Sequence, residues 1–317
     1  MKIAVAVVGL DETHRSRLLS ALAGHDVRFL SEAADAPARR RCVADAEIVF
    51  GNVPPAWLET APALRWVQLD SAGAFPYLQL ASPDRRPPVL VASLKNFYGE
   101  AVAEGLLAGV LALCRQLPRL LAAQALGRWV KPEVEQSIRT LHGSRVVILG
   151  AGAIGCAVGS ILSGFRCRVD YFGRTAAIAR LRSTADLDRE LPEVDLLINV
   201  LPQTPATDGL LDRARLERLP RRAIFANGGR GSVVDEKALA EMLADGRLAG
   251  AVLDVTQVEP LPVGHPFWAL PTVVLTQHTG GRFTGETEGK IARFLENRER
   301  FSRGERLIGA LDSVLGY

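Results

Sequence analysis

Cysteine is scarce in this chain. Its 317 residues hold four (Cys42, Cys114, Cys156, Cys167), with no C-x-x-C spacing among them. That excludes a disulfide framework and a thiolate metal site, so no metal is expected and the four read as reduced core thiols. Lysine is nearly as scarce, five residues against 33 arginines. No block of like charge stands out and the net charge is only +3, so the arginine excess reads as composition and no nucleic-acid partner is expected. Long apolar runs are missing too. The run after Met1-Lys2 spans eight apolar or glycine residues before Asp11 and meets no A-x-A site, which is short for a signal peptide. The most apolar helical stretch, near 101–114, carries Glu104 and falls short of the ~20 residues a membrane span needs. A cytoplasmic protein with no membrane partner is expected. A hydrophobic content of 48% with so small a net charge excludes disorder. There is no solenoid repeat and no low-complexity segment.

What is present is length and pattern. At ~150 residues per domain, the chain is long enough for two. Residues 2–9 (KIAVAVVG) form an apolar run that reads as a buried strand, followed by a helix over 12–22. Further strands are expected at 27–30, 47–50, 65–69 and 88–92, the last after a loop with Pro83, Pro87 and Pro88. A long helix follows over 100–117, with Pro118 marking its break, and then a polar stretch with Gly127, Pro132 and Gly143. A second series opens at 145, with strands at 145–149, 167–172, 195–200, 222–226, 250–254 and 272–276. Strand and helix alternating in this way predict an α/β fold of doubly wound parallel sheets. The chain from about 284 reads as helical and charged.

The strand at 145–149 runs into Gly150-Ala151-Gly152-Ala153-Ile154-Gly155, a G-x-G-x-x-G between strand and helix. Gly150 permits the tight turn, Gly152 lets backbone approach a pyrophosphate, and Gly155 lets helix and strand pack closely. The N–H groups of Ala153 and Ile154 open the helix, where its dipole favours phosphate. A dinucleotide site is therefore expected. Which dinucleotide depends on the next strand, Cys167-Arg168-Val169-Asp170-Tyr171-Phe172-Gly173-Arg174-Thr175. An acid at its end would bind a ribose 2′-hydroxyl. Here Gly173 ends the strand and Arg174 and Thr175 follow, which leaves room and charge for a 2′-phosphate. NADP(H) is therefore the preferred cofactor. The alternative is that Asp170, in mid-strand, holds the ribose and NAD(H) is used.

Four patterns then follow, each after an expected strand, where ligands bind in open α/β sheets. They are Asn199-Val200-Leu201-Pro202, Asn227-Gly228-Gly229-Arg230-Gly231, Leu253-Asp254-Val255 with Val258-Glu259-Pro260-Leu261, and Thr276-Gln277-His278-Thr279-Gly280. His278 can carry a proton near neutral pH. His265, six residues beyond Glu259, is its rival but sits in a Gly-His-Pro turn. His14, His25 and His142 read as solvated or loop residues, and Trp66 and Trp268 as packing anchors.

In these residues the chain resembles the D-2-hydroxyacid dehydrogenase family, and its Gly173-Arg174 resembles the NADPH-dependent glyoxylate and hydroxypyruvate reductases within it. The likeness runs from Trp66-Val67-Gln68 to Gly316-Tyr317. It implies three catalytic residues: Arg230 to anchor the substrate carboxylate, His278 as acid/base, and Glu259 to orient the imidazole. It implies that Asp254 holds the nicotinamide amide, that Leu201 and Pro202 line the cofactor, and that Ala72 and Gly73 in Ser71-Ala72-Gly73-Ala74 offer backbone amides to the substrate. It implies two Rossmann-like domains, a discontinuous substrate domain (1–97 plus 284–317) and an NADP-binding domain (98–283), closing over a small 2-oxo or 2-hydroxy acid. It also implies a homodimer. Two departures stand out: Gln277 where the family commonly has proline, and Tyr98 where many members carry asparagine. Two rivals share the fold: a dinucleotide-sensing regulatory protein, and a formate- or phosphite-type dehydrogenase, which Gly173-Arg174 disfavours.

Overall fold

The computed structural model describes residues 1–82 and 89–311. The proline-rich loop with Pro83, Pro87 and Pro88 and the terminal Gly316-Tyr317 lie outside the described residues. The chain divides into two units, Met1–Phe97 with Phe283–Tyr317, and Tyr98–Arg282.

The first unit holds five short strands: β1 (Lys2–Val5), β2 (Asp26–Phe29), β3 (Ile48–Phe50), β4 (Trp66–Gln68) and β5 (Leu90–Ala92). They pair in parallel in the order β2-β1-β3-β4-β5. Helices α1 (Glu12–Ala21), α2 (Ala36–Ala44) and α3 (Pro55–Glu59) make the crossovers. The strand expected over 2–9 ends at Val5, and Gly9 turns the chain at φ +79°. His14 is not simply solvated. It closes a capping box with Asp11 at the start of α1, and its Nε2 lies 3.2 Å from Glu288.

The second unit carries six parallel strands: β6 (Arg145–Leu149), β7 (Arg168–Phe172), β8 (Leu196–Asn199), β9 (Ile224–Asn227), β10 (Gly250–Leu253) and β11 (Val273–Leu275), ordered β11-β10-β9-β8-β6-β7. A single parallel bridge, Phe172 to Leu181, stands outside β7 where a third strand of that half would lie. Strand order therefore reverses between β6 and β8, and the carboxyl edge there is the ligand-binding crevice of such sheets. The strands are apolar along their length because helices cover both faces. The helices of this unit are α4 (Gly99–Cys114), α5 (Leu117–Ala125), α6 (Lys131–Val134), α7 (Ala153–Gly164), α8 (Thr184–Glu190), α9 (Arg213–Leu216) and α10 (Glu236–Ala244), of which α4, α7, α8, α9 and α10 share cores with the strands. On one face α4 lies so close that a Cβ on Gly109 would sit 2.6 Å from Val252.

The break in the long helix differs from expectation. α4 stops at Cys114, and Gln116 turns the chain in the left-handed region at φ +58°. Pro118 falls in the first turn of α5, where its missing N–H costs no helix bond, so the segment expected to be polar loop is helical to Ala125. Among the described residues no single helix is long and apolar enough to cross a membrane. Only α4 and α5 together, bent by 70°, reach the length and composition of one.

The last helix, α11 (Glu286–Ser302), returns to the first sheet. Phe294 stacks on Phe50 at 4.3 Å and on Trp66 at 5.2 Å, and all three are fully buried. The Asn297 amide donates to Gln68 Oε1 at 2.7 Å. From Arg303 to Leu311 the chain is not helical, contrary to the sequence reading, and Ala310 bridges back to Ala92. All four cysteines are free, and Cys156 is exposed on α7 instead of lying in the core.

Candidate active site

The turn between β6 and α7 is built around glycine. Gly150 lies at φ +113°, a backbone region that L side chains rarely adopt. A Cβ on Gly155 would fall 2.0 Å from the Gly150 carbonyl oxygen, so no side chain fits there. Gly152, the N-cap of α7, is different. A Cβ there would meet nothing within 4 Å, and no side chain caps the helix. The turn thus presents open space and the N-terminal N–H groups of a twelve-residue helix, including those of Ala153 and Ile154. These features fit a pyrophosphate.

Beyond β7, Gly173 packs beside Ala151 of that turn, and Arg174 and Thr175 are exposed. Arg182 donates to the Arg174 carbonyl at 2.9 Å. Asp170 faces elsewhere: Arg180 grips both its oxygens, at 2.6 and 2.7 Å, and holds its carboxyl below the usual carboxylate range. Each Asp170 oxygen thus already accepts a bond from Arg180.

At the carboxyl ends of β8 and β9, two buried asparagines join the loops. Asn199 Nδ2 donates to Asn227 Oδ1 at 2.9 Å, and Asn199 Oδ1 accepts from the Leu201 N–H. Asn227 in turn accepts from Gly229 N–H and donates to the Arg230 carbonyl. This network holds Leu201 against Gly229, whose absent Cβ would lie 2.7 Å from the Leu201 oxygen. Sequence reasoning placed both asparagines at strand ends but gave them no role. Two amides ending adjacent parallel strands are the available signal.

Glu259 and His278 meet. His278 Nδ1 lies 2.6 Å from Glu259 Oε2, and the Thr256 N–H fixes the other carboxylate oxygen at 3.0 Å. An ionised carboxylate only accepts, so Nδ1 carries the hydrogen of that bond and Nε2 faces away from it. Both residues line a cavity of about 440 Å³ with Asp254, Thr256, Trp268 and Gln277. Trp268 is half exposed on its wall, with its indole N–H on the Pro262 carbonyl, and is not a buried anchor. His265 turns away, accepting from the Phe267 N–H and packing on that ring. Behind the pair, burial and the nearby Glu259 push the Glu236 carboxyl up, and it accepts from the Gln257 N–H.

Arg230 does not line this cavity. It sits half-buried on the loop after β9, its guanidinium donating to the Gly229 carbonyl at 2.7 Å. Its neighbour Gly231 packs so tightly on Thr256 that a Cβ would lie 2.1 Å from that residue's carbonyl carbon. Tyr98 stands just before α4, against Gly281, where a Cβ would lie 3.0 Å from its ring. Ala72 and Gly73 belong to the first unit, on the loop after β4 that Leu94 N–H holds through the Ser71 carbonyl.

Residues 107–280 match the D-isomer specific 2-hydroxyacid dehydrogenase, NAD binding domain. The chain is 36% identical over 248 residues to glyoxylate/hydroxypyruvate reductase B of Pectobacterium carotovorum, covering 76% of this chain and 77% of that one. It is 31% identical over 288 residues to an uncharacterized protein of Corynebacterium melassecola, covering 87% and 91%. A D-isomer specific 2-hydroxyacid dehydrogenase from Xanthobacter autotrophicus, solved with NADPH and MES, superposes with a TM-score of 0.80 at 30% identity, covering 100% of this chain and 99% of that one. With more than half its length matched by that domain and relatives above 30% identity along most of it, the chain belongs to the D-isomer specific 2-hydroxyacid dehydrogenase family.

Proposed function

We propose that this enzyme reduces a small 2-oxo acid of the glyoxylate or hydroxypyruvate type to the D-2-hydroxy acid, using NADPH in preference to NADH. The observation that carries the proposal is the 2.6 Å contact of His278 Nδ1 with Glu259, in a cavity on the carboxyl edge of a sheet whose first turn fits a dinucleotide. The relatives named glyoxylate/hydroxypyruvate reductase B support the substrate class.

Bound NADPH supplies the hydride to the substrate's C2. His278 holds a proton on Nε2 and delivers it to the carbonyl oxygen, which completes the alcohol. Glu259 keeps the ring in the tautomer and orientation that this requires. Arg230 anchors the substrate carboxylate with its planar fork and polarises the carbonyl. Ala72 and Gly73 supply further donors, since their backbone N–H groups have no partner among the described residues. Asp254, which directly follows β10, offers its second oxygen to the nicotinamide amide. Gly150, Gly152, Ala153, Ile154 and Gly155 hold the pyrophosphate, Leu201 and Pro202 border the cofactor, and Gly173, Arg174 and Thr175 receive the 2′-phosphate.

The cofactor preference has its own test. Removing one charge-assisted contact weakens binding by roughly ten- to a hundredfold. Arg174→Ala should raise KM for NADPH by about that factor and leave KM for NADH nearly unchanged. A wild-type enzyme that prefers NADH, or an equal effect on both cofactors, overturns the assignment.

A homodimer is the proposed assembly. Leu117 and Leu121 on α5 and Leu126 and Trp129 just beyond it are all exposed, a cluster that a second copy would cover. Light scattering should give about twice the 34.2 kDa chain mass, and a monomer at micromolar concentration overturns it.

A further inference from the structure

Five non-glycine residues have positive φ among the described residues, and only Gln277 (+52°) and His278 (+57°) are adjacent. Gln116 and Arg166 follow the ends of α4 and α7, where a left-handed residue is an ordinary way to stop a helix. Asn96 is of a type that tolerates this region. The Gln277–His278 pair is at no helix end. Two consecutive L-residues in the left-handed region are unfavourable and persist only where the surroundings over-determine them.

Asp254 does so. Its Oδ1 accepts from the Thr276 hydroxyl at 2.6 Å, the Thr279 N–H at 3.1 Å and the Gly280 N–H at 3.0 Å. Its backbone carbonyl accepts from the His278 N–H at 2.6 Å. One nearly buried residue therefore brackets the pair, with donors on both sides of it and one within it. The Thr279 hydroxyl closes the turn onto the Thr276 carbonyl at 2.6 Å. Gly280 completes the clamp, because a Cβ there would lie 2.7 Å from Asp254 Oδ2.

The His278 side chain is 55% exposed. Packing does not orient such a ring, so its reach to Glu259 depends on where the backbone places its Cα–Cβ bond. We infer that Asp254 is a positioning residue for His278: through Oδ1 it locks residues 276–280 into the left-handed turn that presents the imidazole to Glu259. This duty is separate from any contact of Oδ2 with a nicotinamide. The inference rests on the proposed role of His278 as acid/base. It carries a corollary at 277. Proline holds φ near −65°, so the conformation seen at Gln277 is closed to it, while asparagine tolerates that conformation.

The experiment measures kcat, KM for glyoxylate and hydroxypyruvate, and the NADPH Kd by fluorescence titration, on the full chain. Thr276→Val removes one donor to Oδ1 and leaves the His278–Glu259 partners themselves unchanged. It should lower kcat about tenfold with the NADPH Kd unchanged, and Thr276→Ser should restore kcat. Gln277→Pro should lower kcat about a hundredfold, the scale of a misplaced catalytic group, whereas Gln277→Asn should stay within about threefold. Wild-type kcat in both Thr276→Val and Gln277→Pro overturns the inference, as does a loss confined to NADPH affinity. Should Gln277→Pro fail to fold, the Thr276 pair alone decides. His278→Ala, run in parallel, separates the two ideas. If it stays active, the acid/base reading fails. If it is inactive while Thr276→Val and Gln277→Pro are not, only the clamp fails.

Discussion

His278→Ala should lose about three to four orders of magnitude in kcat while binding NADPH as the wild type does. A positioned general acid contributes roughly 10²- to 10⁴-fold, and the upper part of that range applies where the carbonyl oxygen has no other proton source at the reacting centre. In free-energy terms the loss is about 4–5.5 kcal/mol of transition-state stabilisation. NADPH binding should survive because, among the described residues, the turn after β6, the proposed pyrophosphate cradle, makes no hydrogen bond to the loop after β11 that carries His278. Glu259→Gln is the graded companion. It keeps an acceptor for Nδ1 but replaces a charge-assisted hydrogen bond with a neutral one, so its loss should be smaller, about ten- to a hundredfold. Steady-state kinetics on hydroxypyruvate with a parallel fluorescence titration would check both. Near-wild-type turnover in His278→Ala would show that the proton comes from elsewhere.

The strands of this enzyme were legible because parallel strands covered on both faces must be apolar throughout. RVVIL at 145–149 and LLIN at 196–199 are such runs, and each is a strand end to end or nearly so. The glycine turn after β6 was legible for a related reason. Gly155 admits no side chain at all, so its chemistry is written in one residue. What stayed hidden depends on partners distant in sequence. Nothing in Thr276-Gln277-His278 announces a left-handed pair, because the bonds that impose it come from Asp254, 22 residues earlier. Asp170 gives no sign in sequence of its bidentate partner Arg180, which lies across a loop. Pro118 looked like a helix breaker, yet the chain turns two residues before it, where the proline can open a new helix at no cost. Local composition cannot distinguish a proline that ends one helix from a proline that starts the next.

The second large loss is expected at Arg230. The side chain is half-buried, with its backbone carbonyl tied to Asn227 and one guanidinium nitrogen to the Gly229 carbonyl. That contact engages one of five donors, and the remaining edge of the fork is the part that can meet a carboxylate and a carbonyl oxygen together. Deleting one preorganised donor at a developing oxyanion typically costs roughly 10²- to 10³-fold. Arg230→Ala removes both the anchor and the polarising charge, so kcat/KM for the oxo acid should fall by about 10³-fold or more, through kcat as well as KM. Arg230→Lys is the sharper variant. It keeps the charge but loses the planar fork, and a compact ammonium cannot serve two oxygens and the Gly229 carbonyl at once. It should recover no more than about tenfold of the loss. A lysine variant with nearly full activity would mean that Arg230 acts as a point charge, and the carboxylate would then have to be oriented mainly by the backbone N–H groups of Ala72 and Gly73.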